Sequence, residues 1–222
     1  MKRVRAFSYL FVIVLLASAL ASPLTMPTLA KGAGPGESNS AESGDPDPVL
    51  GEQLTRMLVK ANEEDKTTIW AQLTEHEKSS VIVYNTVVKV TADVFDNLST
   101  NDEMTITVSG CDVRGLKEKG YNAFGAVLWE YYSRVEWCYN GSTVTSKFAT
   151  RTGTPGPFPS LWEYLGDAVP PVEGGGVGQS YYRIWCNGYF RLAIAGYPIQ
   201  TAYPWIDITV RGNGTSSATS GQ

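Results

Sequence analysis

Apolar and polar residues alternate with a period of two over most of the second half of the chain. The alternation is seen in "MTITVSG" (104–110), "YYSRVEWCYNGSTVTSKF" (131–148), "SYYRIWCNGYFRLAIAG" (180–196) and "TAYPWIDITVRG" (201–212). Clusters of Gly and Pro separate these runs, and this arrangement is typical of antiparallel strands. We therefore predict a mainly β fold, an antiparallel β-sandwich over residues 103–211, with residues 212–222 as a flexible tail.

Residues 49–98 follow a different period. Leu50, Leu54, Met57, Leu58 and Ala61 recur at spacings of three and four, as on one face of a helix. Farther along, "TEHE" (74–77) has the spacing of a capping box, which predicts a helix through "KSSVIVYNTVVKVTADVF" (78–95). A strand is the alternative there, because β-branched side chains lose rotamer freedom in a helix. We predict a short helical segment before the β-sandwich.

Two nearly identical segments, "WCYNGS" (137–142) and "WCNGY" (185–189), suggest two hairpins. An Asn-Gly step favours a two-residue type I′ turn, in which both central residues have positive φ. With such turns, Tyr139 would face Ser142 in the first hairpin, and Cys186 would face Tyr189 in the second. Each Trp would then point into the core and each Cys away from it.

Three cysteines are present, and none of them belongs to a C-x-x-C motif. Cys111 shares the side of Thr105, Thr107 and Ser109, so it too would point away from the core. Three single disulfides are conceivable in an exported protein. We favour Cys111–Cys138, which closes the shorter loop and leaves Cys186 as a free or intermolecular thiol.

The N-terminus indicates export. Lys2, Arg3 and Arg5 precede the apolar run "YLFVIVLLASALA", and small residues suitable for cleavage follow at 19–21 and at 28–30. We favour the second site, which makes residues 1–30 a signal peptide; an uncleaved N-terminal anchor is the alternative. Residues 31–48, rich in Gly, Ser, Pro and acidic residues, predict a disordered linker. We expect a secreted, extracellular protein without a stable membrane anchor after cleavage.

Charge excludes one class of partner. Three of the 18 basic residues and none of the 22 acidic residues lie in 1–30, so cleavage would leave a net charge of −7. No basic stripe of the kind that phosphate backbones require is present. We expect no binding of nucleic acid.

Few catalytic motifs are compatible with the sequence. The one histidine, His76, lies between two glutamates in the helical segment, which disfavours a Ser-His-Asp triad, Cys-His catalysis and a zinc site. We predict no metal and no cofactor. Hydrolysis of a glycoside needs only two carboxylates. The candidates for that role are Glu130, Glu136, Glu163, Asp167 and Asp207.

Aromatic residues give the positive signal for function. Nineteen of the 25 aromatic residues lie between Tyr121 and Trp205. Most belong to the core of a small β domain. We expect Tyr182 and Tyr189 on the face opposite Trp185, and Trp162 and Tyr164 beside a Pro-rich loop. These four residues are our candidate ligand-binding platform, suited to sugar rings or to a protein partner.

Two further segments carry a resemblance. "YNAFGAVLWEYYSRVEWCYNGSTVTS" (121–146) and "YPWIDITVRGNGT" (203–215) resemble a group of uncharacterised secreted β-rich proteins of Gram-positive, actinomycete-like bacteria. The resemblance covers residues 103–215 and implies export and a β-rich domain. It transfers no catalytic residue.

These observations favour a secreted, non-catalytic binding module. Its ligand would be a cell-envelope polysaccharide or an extracellular protein. The alternative is a histidine-free hydrolase, such as a two-carboxylate glycosidase. A third hypothesis is that residues 49–98 mask the β domain until proteolysis removes them.

Overall fold

Two antiparallel sheets follow three short helices in this protein. The computed structural model describes residues 44–96, 109–157 and 159–222. The predicted signal peptide and all but the last five residues of the predicted linker lie outside the described residues. The helices are α1 (Pro48–Lys60), α2 (Glu63–Gln72) and α3 (Glu75–Asn85).

Among the described residues, nine strands make up the two sheets. They are β1 (Lys89–Asp96), β2 (Gly110–Tyr121), β3 (Val127–Tyr139), β4 (Val144–Pro155), β5 (Trp162–Gly175), β6 (Tyr181–Ile194), β7 (Tyr197–Ala202), β8 (Trp205–Arg211) and β9 (Ser216–Gly221). Sheet A has the order β1-β2-β3-β4, and sheet B has the order β5-β6-β8-β9, with β7 also paired to β6. The predicted antiparallel β-sandwich after a short helical segment is confirmed.

Polar side chains define where each helix begins. The Asp47 carboxylate accepts hydrogen bonds from the backbone N–H groups of Val49 and Leu50, and Pro48 occupies the first helical turn, where no N–H is needed. Thr74 and Glu77 form the reciprocal bonds of a capping box at the start of α3. The capping box predicted from the sequence is therefore confirmed.

The helix predicted through residue 95 ends earlier. Helix α3 stops at Asn85, and Lys89–Asp96 form β1, which pairs with β2 from Lys89↔Tyr121 to Asp96↔Arg114. The β-branched residues of this run favour the strand, and pairing with β2 satisfies its backbone. The predicted boundary at residue 98 is thus wrong, because the end of the helical segment belongs to sheet A.

The predicted flexible tail at 212–222 is also wrong. Residues Ser216–Gly221 form β9 and pair with β8 from Val210↔Ser216 to Trp205↔Gly221. Small polar side chains fill this strand, and Ala218 alone adds an apolar side chain to the core. Residues 216–221 therefore show no alternation of apolar and polar residues, although their backbone pairs regularly with β8.

Large aromatic side chains dominate the core between the sheets. The Trp129 and Phe190 rings stack at 5.0 Å between centroids, which joins the two sheets. The largest fully buried side chains are Trp129, Trp137, Trp162, Tyr131, Tyr182, Phe190, Leu58, Leu128, Ile184, Leu192, Ile206 and Ile208. Burial of this apolar area is the main stabilising contribution to the fold.

Buried hydrogen bonds attach the helices to the sandwich. Asn85 is fully buried; its side chain donates to Thr55 Oγ1 at 2.8 Å and accepts from the Leu161 N–H at 3.2 Å. The backbone carbonyl of Asn85 accepts a hydrogen bond from Trp162 Nε1 at 2.8 Å. Removing residues 49–98 would take β1 from sheet A and expose these polar groups, so the segment is part of the fold of the intact chain.

Candidate binding site

The first Trp-Cys segment lies at the end of a hairpin, as predicted, but its turn differs from the prediction. Tyr139 pairs with Val144, and Cys138 pairs with Ser146, so residues 140–143 form the connection. Of the Asn140-Gly141 pair, only Gly141 has positive φ. The Asn140 side chain instead accepts hydrogen bonds from the backbone of Ser142 (3.1 Å) and Thr143 (2.9 Å). The predicted register is wrong, although Trp137 does point into the core.

The second Trp-Cys segment contains no turn. Tyr181–Ile194 form one strand, and Asn187 and Gly188 lie in its middle. Cys186 is buried, whereas Trp185 is half-buried on the outer face of sheet B. A Cβ on Gly188 would lie 2.8 Å from the Tyr131 ring, so this glycine allows a close approach between sheets. The predicted orientation of Trp185 and Cys186 is therefore reversed.

A two-residue turn of the predicted kind occurs elsewhere, between β6 and β7. Ile194 pairs with Tyr197, and the two intervening residues, Ala195 and Gly196, have φ of 50° and 82°. These positive values are those that a type I′ turn requires. Ala is a poor residue for the first position, which explains why the sequence gives no signal for this turn.

The cysteines pair as predicted. Cys111 and Cys138 are directly opposite each other on β2 and β3 and form a disulfide across the outer face of sheet A. Cys186 is free and fully buried, with its thiol 3.6 Å from the Ile206 carbonyl. The alternative of an intermolecular disulfide through Cys186 is wrong for the folded chain, because no partner reaches a fully buried sulfur.

Two of the four predicted platform residues are core residues. Trp162 is 2 % exposed and Tyr182 is 1 % exposed. Tyr182 is at an inward position of β6, next to Ile184, and the Lys147 ammonium lies 4.2 Å from the centre of its ring. These positions contradict the prediction of exposed rings at Trp162 and Tyr182.

The other two predicted residues are closer to the surface. Tyr164 is half-buried, and its ring lies 5.0 Å from that of Phe190, so it closes the rim of the core. Tyr189 is half-buried on the outer face of sheet B and stacks on Tyr203, with 5.1 Å between ring centroids and an angle of 11°. Of the four predicted residues, the structure thus places only Tyr189 among surface aromatic residues.

A row of aromatic side chains runs along the outer face of sheet B. Tyr181, Trp185 and Tyr189 occupy every fourth position of β6, and Trp205 on β8 is opposite Asn187, between Trp185 and Tyr189. We call these four residues and Tyr203 the outer aromatic strip. At about 3.3 Å per residue, Tyr181 and Tyr189 are about 26 Å apart.

Polar side chains flank the strip. Asp207 is opposite Trp185 on β8, and its carboxylate accepts a hydrogen bond of 2.9 Å from Arg183 Nε. The Asn187 amide donates to the Tyr203 carbonyl at 3.0 Å, which holds the segment before β8 beside Tyr189. The strip therefore combines flat apolar rings with an adjacent ion pair that offers donors and acceptors.

The outer face of sheet A carries a smaller aromatic pair. Phe95 and Tyr132 stack at 5.6 Å, and a Cβ on Gly115 would lie 2.1 Å from the Phe95 ring. Lys117 and Glu130, paired at 3.1 Å, border an open depression of about 460 Å³ beside these rings. Among the described residues, this face offers one stacked pair, whereas the outer face of sheet B carries the five aromatic residues of the strip on β6 and on and beside β8.

The sequence does contain a signal for the strip, but the turn predicted at Asn187-Gly188 hides it. Tyr182, Ile184, Phe190, Leu192 and Ile194 are all apolar at even positions, on both sides of the Asn-Gly step. An unbroken period of two through 181–194 predicts a single strand with odd residues facing outward. Nothing comparable marks Tyr203, whose position depends on its contact with Tyr189.

Each of the five candidate catalytic carboxylates forms an ion pair. The pairs are Glu130–Lys117, Glu136–Arg134, Glu163–Arg191, Asp167–Arg151 and Asp207–Arg183. Each of the five is thus held by its own cationic side chain, a different one in every case.

Two buried groups that could act as an acid or a nucleophile, Glu118 and Cys186, have raised pKa values. Burial raises the pKa of Glu118 to about 7, against a smaller opposite effect of the Ser220 hydroxyl. Burial also raises the pKa of the Cys186 thiol, while the facing hydroxyls of Tyr131 and Ser133 act in the other direction. A thiol with a raised pKa is a weak nucleophile, and Glu118 is only 2 % exposed, out of reach of a polymer.

We also searched the described residues for metal-binding clusters and membrane-spanning helices. The described residues contain no group of three or more His, Cys, Asp or Glu side chains placed to hold a metal ion. In the same part of the chain, no helix is long and apolar enough to cross a membrane.

No protein-family model, curated protein or solved structure matches this chain. The resemblance to secreted proteins of Gram-positive bacteria stays a prediction.

Proposed function

We propose that this chain is an exported, non-catalytic binding module that holds an extended polysaccharide of the cell envelope on the outer aromatic strip. The strip carries the proposal. Four aromatic side chains, two of them tryptophans, lie on the paired strands β6 and β8, and Tyr203 stacks on Tyr189 beside them. A row of this length suits a polymer better than a small molecule, which would require a concave pocket.

The chemistry of the strip favours sugar over other extended polymers. Aromatic faces pack on the C–H faces of sugar rings, and the Arg183–Asp207 pair beside Trp185 offers hydrogen bonds to hydroxyl groups. Because these residues lie on paired strands, little side-chain or backbone freedom is lost on binding. The net charge gives a polyanion such as nucleic acid no comparable attraction.

Export is part of the proposal. A disulfide between Cys111 and Cys138 forms and persists in oxidising compartments, which supports the signal peptide expected at residues 1–30. N-terminal sequencing of protein recovered from the culture medium tests this part. A start near residue 31 supports export; full-length protein retained in the cytoplasm contradicts it.

The binding experiment compares two faces of the sandwich. The exported chain is incubated with insoluble peptidoglycan, chitin and cellulose, and the unbound fraction is measured. Trp185→Ala and Trp205→Ala should weaken binding at least about tenfold, because each removes a stacking surface. Phe148→Ala is the matched control, since Phe148 is 61 % exposed on the outer face of sheet A. Its affinity should stay within about twofold of wild type.

Three outcomes contradict the proposal. Binding to none of the three polymers rules out the envelope polysaccharide and leaves a protein partner as the hypothesis. Equal losses in Trp185→Ala and Phe148→Ala place the ligand elsewhere. Release of reducing sugar by wild type in the same incubations would support the hydrolase alternative.

A further inference from the structure

Glu118 is a carboxyl group enclosed between the two sheets. It lies on β2 at an inward position, 2 % exposed, and its Oε2 atom has no hydrogen-bond partner among the described residues. A buried carboxylate is stable only when a cation or several hydrogen bonds compensate for the loss of water. The ionised form of Glu118 is therefore the form that these surroundings support least.

The groups that face Glu118 from β1, β3 and β9 are uncharged. Ala92 of β1 and Tyr131 of β3 are its cross-strand neighbours, and the Ser220 hydroxyl faces it from β9. Burial raises the pKa of the Tyr131 hydroxyl far above its usual value, so this group stays neutral. No Lys, Arg, His, Asp or Glu of the described residues contributes to the shift of the Glu118 pKa.

Strand β9 connects this carboxyl to the outer aromatic strip. It packs against β2 through its inward face, and β8 is the one strand with which it pairs in the part of the chain that the structure describes. Ser220 faces Glu118, while the next residue, Gly221, is opposite Trp205. A Cβ on Gly221 would lie 2.8 Å from Trp205 Cζ2, so the indole rests directly on this glycine.

We propose that Glu118 makes the outer aromatic strip sensitive to pH: the neutral carboxyl keeps β9 against β2 with Trp205 seated on Gly221, and ionisation loosens both. The consequence for ligand rests on the proposed function. The loosening of β9 does not rest on the proposed function, because it depends only on the burial of Glu118 beside β9.

The direction of the effect follows from the two protonation states. The pKa of Glu118 is about 7 with β9 docked, against 4.5 for a free carboxyl. The docked form therefore binds the proton more tightly, and its stability is complete below pH 4.5. Stability falls as the pH rises from 4.5 to about 7, where the docked form also ionises, and is level above that.

Hydrogen exchange measures this effect without any ligand. Protection factors of the β9 amides in the exported chain are compared between pH 5 and 8, after correction for intrinsic exchange rates. In wild type they should fall by up to about tenfold per pH unit between pH 5 and 6.5 and become level above pH 7.5. Glu118→Gln, which cannot ionise, should remove this dependence. Glu130→Gln, on the outer face of sheet A, should keep it.

A second variant covers the case in which Glu118→Gln does not fold. Ser220→Ala removes the hydroxyl that lowers the pKa of Glu118, so the fall in protection should extend to higher pH than in wild type. The proposal is overturned if wild-type β9 protection is independent of pH, or if Ser220→Ala and a folded Glu118→Gln behave as wild type. It is also overturned if all strands lose protection together, since the loosening would then be global.

Binding at two pH values tests the functional consequence. Chitin, cellulose and peptidoglycan are the probes, at pH 5 and pH 7.5. Wild type should bind at least about fivefold more weakly at pH 7.5, and Glu118→Gln should bind equally at both, by the same linkage. If no probe binds at pH 5, the proposed function fails while the exchange data still decide the switch. If binding occurs without pH dependence, the coupling to the strip is wrong.

Discussion

Trp137-Cys138 and Trp185-Cys186 are the same pair of residues, each followed closely by Asn-Gly, and they face opposite ways. At the first pair the indole is buried and the sulfur is in a disulfide on the outer face of sheet A. At the second pair the sulfur is buried and the indole lies on the outer face of sheet B. The same residues thus serve the core in one place and the surface in the other.

The difference comes from where each pair lies along its strand. At the end of β3, the Asn140 side chain accepts backbone hydrogen bonds and closes a loop. In the middle of β6, pairing with β5 continues through Asn187 and Gly188, and pairing with β8 extends to Asn187. Because side chains alternate along a strand, the apolar residues on both sides of the motif decide which member faces inward. A short motif does not contain that information.

The largest expected difference is in the two indoles. Trp137→Ala should lower the free energy of unfolding by about 3–5 kcal/mol, because it leaves a cavity in the core. Trp185→Ala should lower it by less than about 1.5 kcal/mol, because the ring is half-buried on the outer face. Urea denaturation of both variants measures this. Equal losses would contradict the opposite orientations.

The cysteines should show the same contrast: loss of the disulfide on sheet A should lower stability more than loss of the buried thiol on β6. Replacing Cys111 and Cys138 together with Ala opens a loop of 27 residues and should lower stability by about 3.5 kcal/mol on the chain-entropy model. Cys186→Ala should lower it by less than about 1.5 kcal/mol. Denaturation with and without dithiothreitol supplies the control: reductant should destabilise wild type and Cys186→Ala alike and leave the double variant unchanged.

Identical substitutions at the two glycines should separate a turn from a close contact. Gly141→Asn should lower stability by less than about 1 kcal/mol, since Asn accepts the positive φ of that loop. Gly188→Asn should lower it by about 1–3 kcal/mol or more, because the new side chain meets the Tyr131 ring. Thermal unfolding of the two variants gives the comparison, and a reversed order would show that Asn187-Gly188 forms the turn after all.

The smallest effect is expected at the turn that follows β6. Ala195 has a φ of 50°, a conformation that Asn adopts more readily than Ala. Ala195→Asn should therefore raise the free energy of unfolding by about 0.5–1 kcal/mol. Ala193→Asn, in β6 just before the turn, is the control and should be neutral or destabilising. A loss of stability in Ala195→Asn would contradict a type I′ turn at this position.

Part of the candidate site could be predicted from the sequence. The concentration of aromatic residues between Tyr121 and Trp205 indicates that some must lie outside the core. Tyr189 lies at the surface as predicted, but on the same face as Trp185 and not on the opposite one. Trp162 and Tyr182 were misplaced because their burial depends on partners that are remote in sequence. Trp162 bonds to Asn85 of α3, and Tyr182 lies beneath Lys147 of β4. Local patterns carry no information about such contacts.

The sequence by itself predicts the β class and the capping box at Thr74, and it favours the pairing of Cys111 with Cys138. Each of these depends on periodicity, local hydrogen bonding or loop length, all of which act over a few tens of residues. Only the tertiary structure decides that Lys89–Asp96 and Ser216–Gly221 are strands, that Glu118 is enclosed, and that Trp185, Trp205 and Tyr203 form one surface. Those features depend on which strands become neighbours, and that choice is made by packing across the whole core.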